Sequence, residues 1–351
     1  MKLLLLSFLM ICSIGQLYAQ QNEVALSQKG NTNGATINQN GSASFSRVQQ
    51  EGASNNTDIQ QTGTQNGVDL EQLKNQNKAT ITQTGSDVVE NGVAKPRGQS
   101  YVKAKQDGDD NIITLYQHTH LGAGVEAYID QKGNRNKATV TTYDQVERID
   151  ESRVYIMQDG DDNQTTVSQN GDTYSQYGDA NWAKIDQKGS LNDVNAKQTT
   201  TDYNQSRNTL TISQDGTNNR ITSTQQGGTF RITENEGNIM NLGQTGSNHV
   251  IDATQNGDDN RMTISQMGSG NQVMAIQEAA ENKLSLIQDG NGNRANITQT
   301  GGNNVLMGMN GDASARQIGS GNQLFLNQAG GHMAQVYQNG MNNTITINQS
   351  K

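Results

Sequence analysis

The side chains here that could do chemistry are few and scattered. His118-x-His120 puts two of the four histidines on one face of an extended segment, a donor pair from which a metal site could begin. No cysteine or acidic third ligand stands beside them at ligand spacing. Three acidic strings carry the carboxylates of a calcium loop: Asp107-Gly108-Asp109-Asp110-Asn111, Asp159-Gly160-Asp161-Asp162-Asn163 and Gly257-Asp258-Asp259-Asn260. They lack the twelve-residue spacing and closing Glu of such a loop, and no nonapeptide β-roll repeat accompanies them. Their place in turns suits solubility, with stacked like charges slowing premature association. No Ser/His/Asp set has a recognisable spacing, and no Gly-rich phosphate loop opens a helix. Trp182 and the scattered tyrosines are too sparse for a carbohydrate platform. The expectation is no enzyme, no cofactor and no metal.

What remains are amides, and they need elements to position them. The composition alone argues for disorder: 31% of residues are apolar, where about 45–50% is usual, and the net charge is −9. Dispersed acidity also argues against nucleic acid as a partner. At the N-terminus, Lys2, the apolar run Leu3–Ile11 and Leu17-Tyr18-Ala19 read as a secretory signal peptide over residues 1–19. That run is too short to cross a bilayer, so no membrane insertion is expected. Cys12, the single cysteine, falls inside it, which leaves no thiol or disulfide chemistry for residues 20–351.

Periodicity overrides the composition. Gln28, Gln39, Gln50, Gln61, Gln72 and Gln83 stand 11 residues apart, as do Gln244, Gln255, Gln266, Gln277, Gln288 and Gln299. The step recurs in Gln106 with Gln117, Gln158 with Gln169, Gln187 with Gln198, Gln214 with Gln225, Gln317 with Gln328, and Gln338 with Gln349. A glycine follows two residues after most of them, as at Gly30, Gly52 and Gly268, and an asparagine five residues after. Those asparagines include Asn33, Asn55, Asn66, Asn77, Asn260, Asn271, Asn282 and Asn293. Offsets seven and nine carry small or branched apolar residues, as in Ala79 with Ile81 or Ile345 with Ile347.

Offsets five, seven, nine and eleven share one face of a strand. That face reads Asn, apolar, apolar, Gln, and Gly with Asn, Asp or Ser supplies the turn. The pattern predicts an all-β, amyloid-like β-solenoid of 22-residue coils, each made of two 11-residue strand-turn units. Coils stacked about 4.8 Å apart would pile these Gln and Asn side chains into amide ladders along the axis. Longer loops are expected near 86–105, 118–130, 141–157, 170–186, 199–213 and 226–243, where the regular spacing lapses. Neither end shows a capping unit: Val24, Leu26 and Gln28 already match the inward pattern, as do Ile345, Ile347 and Gln349. Uncapped strand edges invite another copy.

Gln28-x-Gly30-x-x-Asn33-x-Ala35-x-x-x-Gln39 and Gln288-x-Gly290-x-x-Asn293-x-Ala295-x-x-x-Gln299 resemble the curlin repeat of curli fibre subunits. Departures are Lys74 and Ala279 at the glycine position, His249 at the asparagine position and Asn310 where glutamine is expected. The resemblance implies a secreted amyloid subunit of a biofilm matrix that polymerises with itself. It further implies a nucleator subunit and export through an outer-membrane pore. The alternative from the residues is a monomeric surface-binding solenoid, an adhesin or ice-binding protein, displaying outward rows such as Thr80/Thr82, Thr139/Thr141 and Thr344/Thr346.

Overall fold

The computed structural model describes residues 22–85, 88–90, 93–95, 100–119, 124–143, 152–171, 181–200, 208–227 and 237–350. The expected signal peptide and Cys12 lie outside them. The described residues contain no helix. Four strands show the winding rule: β1 (Glu23–Lys29), β2 (Gly34–Ser42), β3 (Phe45–Glu51) and β4 (Asn56–Thr64). β1 pairs in parallel with β3, and β2 with β4, each residue lying beside the one 22 positions on. The chain thus forms a β-solenoid in which every coil gives one strand to each of two open parallel sheets. The second sheet, which begins with β2, has 13 strands and so counts 13 coils. The first has 15, because its last two coils split theirs into Val305–Met307 with Ala315–Ser320 and Met333–Gln335 with Tyr337–Met341.

The core lies between the sheets and is one side chain thick on each face. It is built from the alternate residues the sequence points to, Ile59, Ile81, Val102, Ile113, Ile212 and Ile264 among them, all essentially without solvent exposure. Gln and Asn are buried in the same layer, and the outward positions are mostly polar, with exceptions such as Ile112, Met157 and Met274. Aliphatic side chains of this size leave two sheets close enough for amides on one to reach backbone on the other.

Where the two corners of the coil differ, the backbone explains it. From the first sheet to the second, the glutamine position always advances by 11 residues, from Gln28–Gln39 through Gln106–Gln117 to Gln338–Gln349. These turns hydrogen bond to one another along the whole axis. Ser54 N–H donates to Asn31 O at 3.0 Å, Gln76 to Ala53, Asp110 to Asn75, Arg135 to Asp109, and so on to Asn342 with Ser320 at 2.9 Å. An extra residue would orphan partners both above and below. Glycine two residues after nearly every glutamine of the first sheet makes this stacking fit: Gly30 has φ 114°, and a Cβ there would lie 1.9 Å from the Gly52 carbonyl oxygen.

The longer connections all run the other way, from second sheet to first. They follow Gly85, Thr119, Tyr143, Gly171, Thr200 and Gly227 in six consecutive coils. Coils are therefore not uniformly 22 residues: stacked glutamines stand from 34 residues apart, at Gln72 and Gln106, down to 21 at Gln328 and Gln349. The expected loops are also too long. Each of the ranges 86–105, 118–130, 141–157, 170–186, 199–213 and 226–243 contains the opening residues of a regular strand: Tyr101–Asp107, Glu126–Lys132, Arg153–Asp159, Trp182–Ser190, Thr209–Thr217 and Ile239–Ser247. Within the first, Val88–Glu90 and Val93–Lys95 form an antiparallel pair. One excursion was not expected: residues 308–314 divide a first-sheet strand, and Asn310 sits exposed in that bend (φ 56°), so Gln317 takes the column place instead. Lys74 and Ala279 occupy their glycine sites by adopting φ 70° each, and both coils form.

The asymmetry has a measurable outcome. Inserting Gly-Ser-Gly-Ser between Ser269 and Gly270 should lower the thermal unfolding midpoint by about 5 °C or more, since it orphans several stacked backbone groups. The same insertion between Asp202 and Tyr203, in the longer connection that follows Thr200 at the opposite corner, should cost markedly less, the added loop itself contributing only about 1 kcal/mol. Midpoints followed by circular dichroism check this.

Candidate functional site

The glutamines form two columns, one per sheet. In the first, Nε2 of Gln28 donates to Oε1 of Gln50 at 2.6 Å, and the chain of bonds continues through Gln72, Gln106, Gln131, Gln158, Gln187, Gln214, Gln244, Gln266, Gln288 and Gln317 to Gln338. In the second, Gln39, Gln61, Gln83 and Gln117 are joined likewise, as are Gln169, Gln198, Gln225, Gln255, Gln277, Gln299, Gln328 and Gln349. Every axial bond runs from the N-terminal coil to the next, so both columns have the same polarity.

The amide has a second donor, and it points sideways. Gln50 Nε2 reaches Gly34 O at 3.0 Å and Gln61 Nε2 reaches Phe45 O at 3.1 Å, each crossing to the opposite sheet. In some coils a hydroxyl fills the remaining acceptor site, as when Ser46 donates to Gln61 Oε1 at 2.8 Å and Thr57 to Gln72 Oε1 at 2.9 Å. Each glutamine therefore links coil to coil and sheet to sheet at once, which is why an amide is buried where a narrow aliphatic core would otherwise run.

The asparagines work differently from the expected amide-to-amide ladder. Asn33 Oδ1 accepts the backbone N–H of Asn55 at 3.0 Å, and its Nδ2 donates to Gly52 O at 3.0 Å. Asn55 serves Asn77 in the same way, Asn260 serves Asn282, and Asn271 serves Asn293. Asn66 takes its backbone partner from Ser44 instead. The column thus holds the turn rather than side chain to side chain, although direct contacts such as Asn304 Nδ2 to Asn282 Oδ1 at 2.9 Å also occur.

Gln131 was not expected. It lies 14 residues beyond Gln117, one past the range taken for a loop, yet Ala127, Ile129, Gly133 and Asn136 around it carry the full pattern. The second column is broken at the same coil: Thr142 stands where a glutamine should. Thr142 Oγ1 and Gln169 Oε1 are buried and have no hydrogen-bond partner among the described residues.

Charge in the turns does not stack like on like. Lys29 pairs with Glu51 at 2.6 Å, Lys74 with Asp107 at 3.5 Å, and Arg135 grips Asp162 through two bonds of 2.7 Å. The turn Lys132–Arg135 lies between the two Asp-rich turns, and the Arg135 guanidinium holds the half-buried Asp162 carboxyl below its usual range. Asp109 and Asp161 accept backbone N–H groups of Asn75 and Asn134 at 2.9 and 2.7 Å, so these carboxylates cap neighbouring turns. Among the described residues, no three His, Cys, Asp or Glu come together as a metal site. Of the histidine pair, His118 stacks on Tyr143 (4.7 Å between centroids) with Nδ1 2.8 Å from Thr84 Oγ1, and His120 lies outside the described residues.

The aromatics are less scattered than the sequence suggests. Phe45, Tyr101, Tyr128, Tyr155 and Trp182 run along the outer face of the first sheet at centroid spacings of 4.9–6.4 Å. Tyr128 and Tyr155 lie parallel within 1°, so these two rings face each other and not solvent. Burial, with Asp69 as hydrogen-bond partner, pushes the Tyr101 phenol up to about 12.

The break at Thr142 yields a test of the column. Thr142→Gln restores the axial chain and relieves an orphaned amide, worth about 1–3 kcal/mol. The thermal midpoint should rise by several degrees (roughly 2–4 °C per kcal/mol). Gln187→Leu, which breaks an intact column, should lower it.

No curated protein is found to be similar to this chain. A family model does match: residues 257–290, which run from the turn after Gln255 to the turn after Gln288, fit the Curlin associated repeat, and the chain carries that repeat.

Proposed function

We propose that this chain is a structural, non-catalytic subunit of an extracellular curli-like fibre, in which copies stack end to end through their terminal coils. The Curlin associated repeat and the parallel two-sheet solenoid suggest a curli-type structural protein at the coarser level. The observation that carries the finer reading is the pair of terminal coils. Val24 and Leu26 of β1 are 52% and 47% exposed although they stand in core register, and Ile345 and Ile347 of the last strand are only half-buried. Among the described residues, neither edge has a strand beyond it.

The two edges are complementary. Among the described residues, Gln338 and Gln349 at one end have no further glutamine to donate to; at the other, Gln28 and Gln39 have Oε1 atoms that accept from no preceding coil. A head-to-tail contact continues both columns and, being heterologous, builds an open filament. Secretion by signal peptide, a nucleating partner, an outer-membrane pore and a role in adhesion and biofilm matrix are parts of the same proposal, supported by the repeat. Isolated coils gain little until stacked, so folding is expected to follow templated addition.

The test uses residues 20–351, purified and seeded. Fibres should bind thioflavin and diffract at about 4.8 Å. Gln28→Ala or Gln349→Ala should slow seeded elongation several-fold more than Gln50→Ala, because a terminal amide loses its partner at every junction. Equal effects at all three positions would remove the docking contact, and a stable β monomer that never elongates would remove the fibre.

A second reading has one observation in its favour. Thr80, Thr114, Thr139 and Thr166 are direct neighbours on the second sheet's outer face, with Thr82 and Thr141 beside them. This contiguous hydroxyl array suits a monomeric surface binder of the adhesin or ice-binding type, and an ice-recrystallisation assay on non-elongating protein tests it.

A further inference from the structure

Two histidines, His249 and His332, stand in asparagine columns. His249 is fully buried and copies the amide atom for atom. Its Nδ1 accepts the backbone N–H of Asn271 at 3.2 Å, the task Oδ1 performs in other coils. Its Nε2 therefore carries the proton and donates to Thr245 O at 3.1 Å, the carbonyl four residues back to which an asparagine Nδ2 also donates. Only the neutral ring can do both. With a proton on Nδ1, two donors would face each other in a fully buried site.

His332 occupies the corresponding place at the C-terminal end of the first sheet's column. Its N–H donates to Asn304 Oδ1 at 3.1 Å, and its carbonyl accepts Val305 N–H at 2.8 Å. The same pair of bonds opens the solenoid, where Ser44 N–H donates to Asn22 Oδ1 at 3.1 Å and Ser44 O accepts Glu23 N–H at 2.9 Å. Asn22 is thus the first member of the column and His332 the last. His332 Nε2 is buried and makes no hydrogen bond among the described residues.

We propose that His332 is an acid-sensitive docking contact for a second copy of this chain: neutral, its ring accepts the backbone N–H of the incoming Asn22; protonated, it offers only donors and closes that end. This rests on the end-to-end reading above. The turns around His332, Thr300–Asn304 and Gln328–His332, hold no charged side chain, nor do the strands Gln323–Ala329, Met333–Gln335 and Thr344–Ser350. On the incoming copy the nearest charge is Glu23, one residue along and on the outward face. Around His249, the chargeable groups on adjoining strands are Asp215, Arg220 and Asp252, all exposed and outward; the turn packed on its other side, Met267–Asn271, has none.

The sign follows from His249. Burial holds its pKa below the usual 6.5, against the pull of hydrogen bonds to the Thr245 and Gly268 carbonyls. Its contribution is complete above that value and is lost as pH falls through it towards the lower folded value.

The experiment is seeded elongation of residues 20–351 at about pH 7.5 and about pH 5, with His332→Asn and His249→Asn, both restoring the column's amide. The ratio of His332→Asn to wild-type elongation rate should rise about tenfold on acidification, the factor one buried hydrogen bond is worth. His249→Asn should leave that ratio unchanged and reduce the acid-induced fall of the thermal midpoint. A ratio that does not move with pH overturns the proposal while leaving the fibre intact. Absence of elongation at every pH overturns the end-to-end reading, and this inference with it.

Discussion

A carboxamide has two donors in fixed directions and an oxygen that accepts twice, and burying it pays only when all these directions find partners. A solenoid supplies them. The coil above and the coil below take the axial hydrogen and the oxygen, and the facing sheet takes the lateral hydrogen. Once that geometry is met, a chain with few aliphatic residues can exclude water from a core one side chain deep. This is why a composition that resembles a disordered segment builds two long sheets. The cost of the arrangement is shown at Thr142, where a missing amide strands the next glutamine's oxygen.

Identical amides leave one ambiguity: a coil could stack on any other coil and still make the same bonds. The outward positions break that degeneracy. Asp107, Lys132, Asp159, Lys188 and Asp215 are successive neighbours along one column, alternating in sign. A shift by one coil would set like charges together, which is destabilising on adjacent strands. The row of rings from Phe45 to Trp182 acts in the same coils. From Thr245 onwards that column is mostly uncharged, passing through Thr245, Met267, Asp289 and Ile318.

The fold was legible because its period is carried by residue types with few other reasons to recur. Alternation gave the buried face, and the Gln–Gly–Asn offsets gave the turn. What escaped notice followed from reading those markers too literally. Strands such as Glu126–Lys132 open before their glutamine, with Tyr128 and Asp130 outward, so their first residues looked like loop. Asn310 keeps the 11-residue count yet lies in an exposed bend, since spacing along the chain cannot register an excursion that divides a strand. The charge alternation was invisible for another reason. It joins residues 25 to 29 apart that become neighbours only when the varying coil lengths are known.

The two corners of the coil also divide the labour of change. On one, every peptide is committed to the peptides above and below, so sequence there can drift in side chain and never in length. On the other, six consecutive turns already accept segments of different size, and the sheets beneath are undisturbed. The molecule therefore carries a ready-made margin for grafting: foreign peptides spliced along that single ridge would be displayed in a row, on a backbone that does not register their arrival.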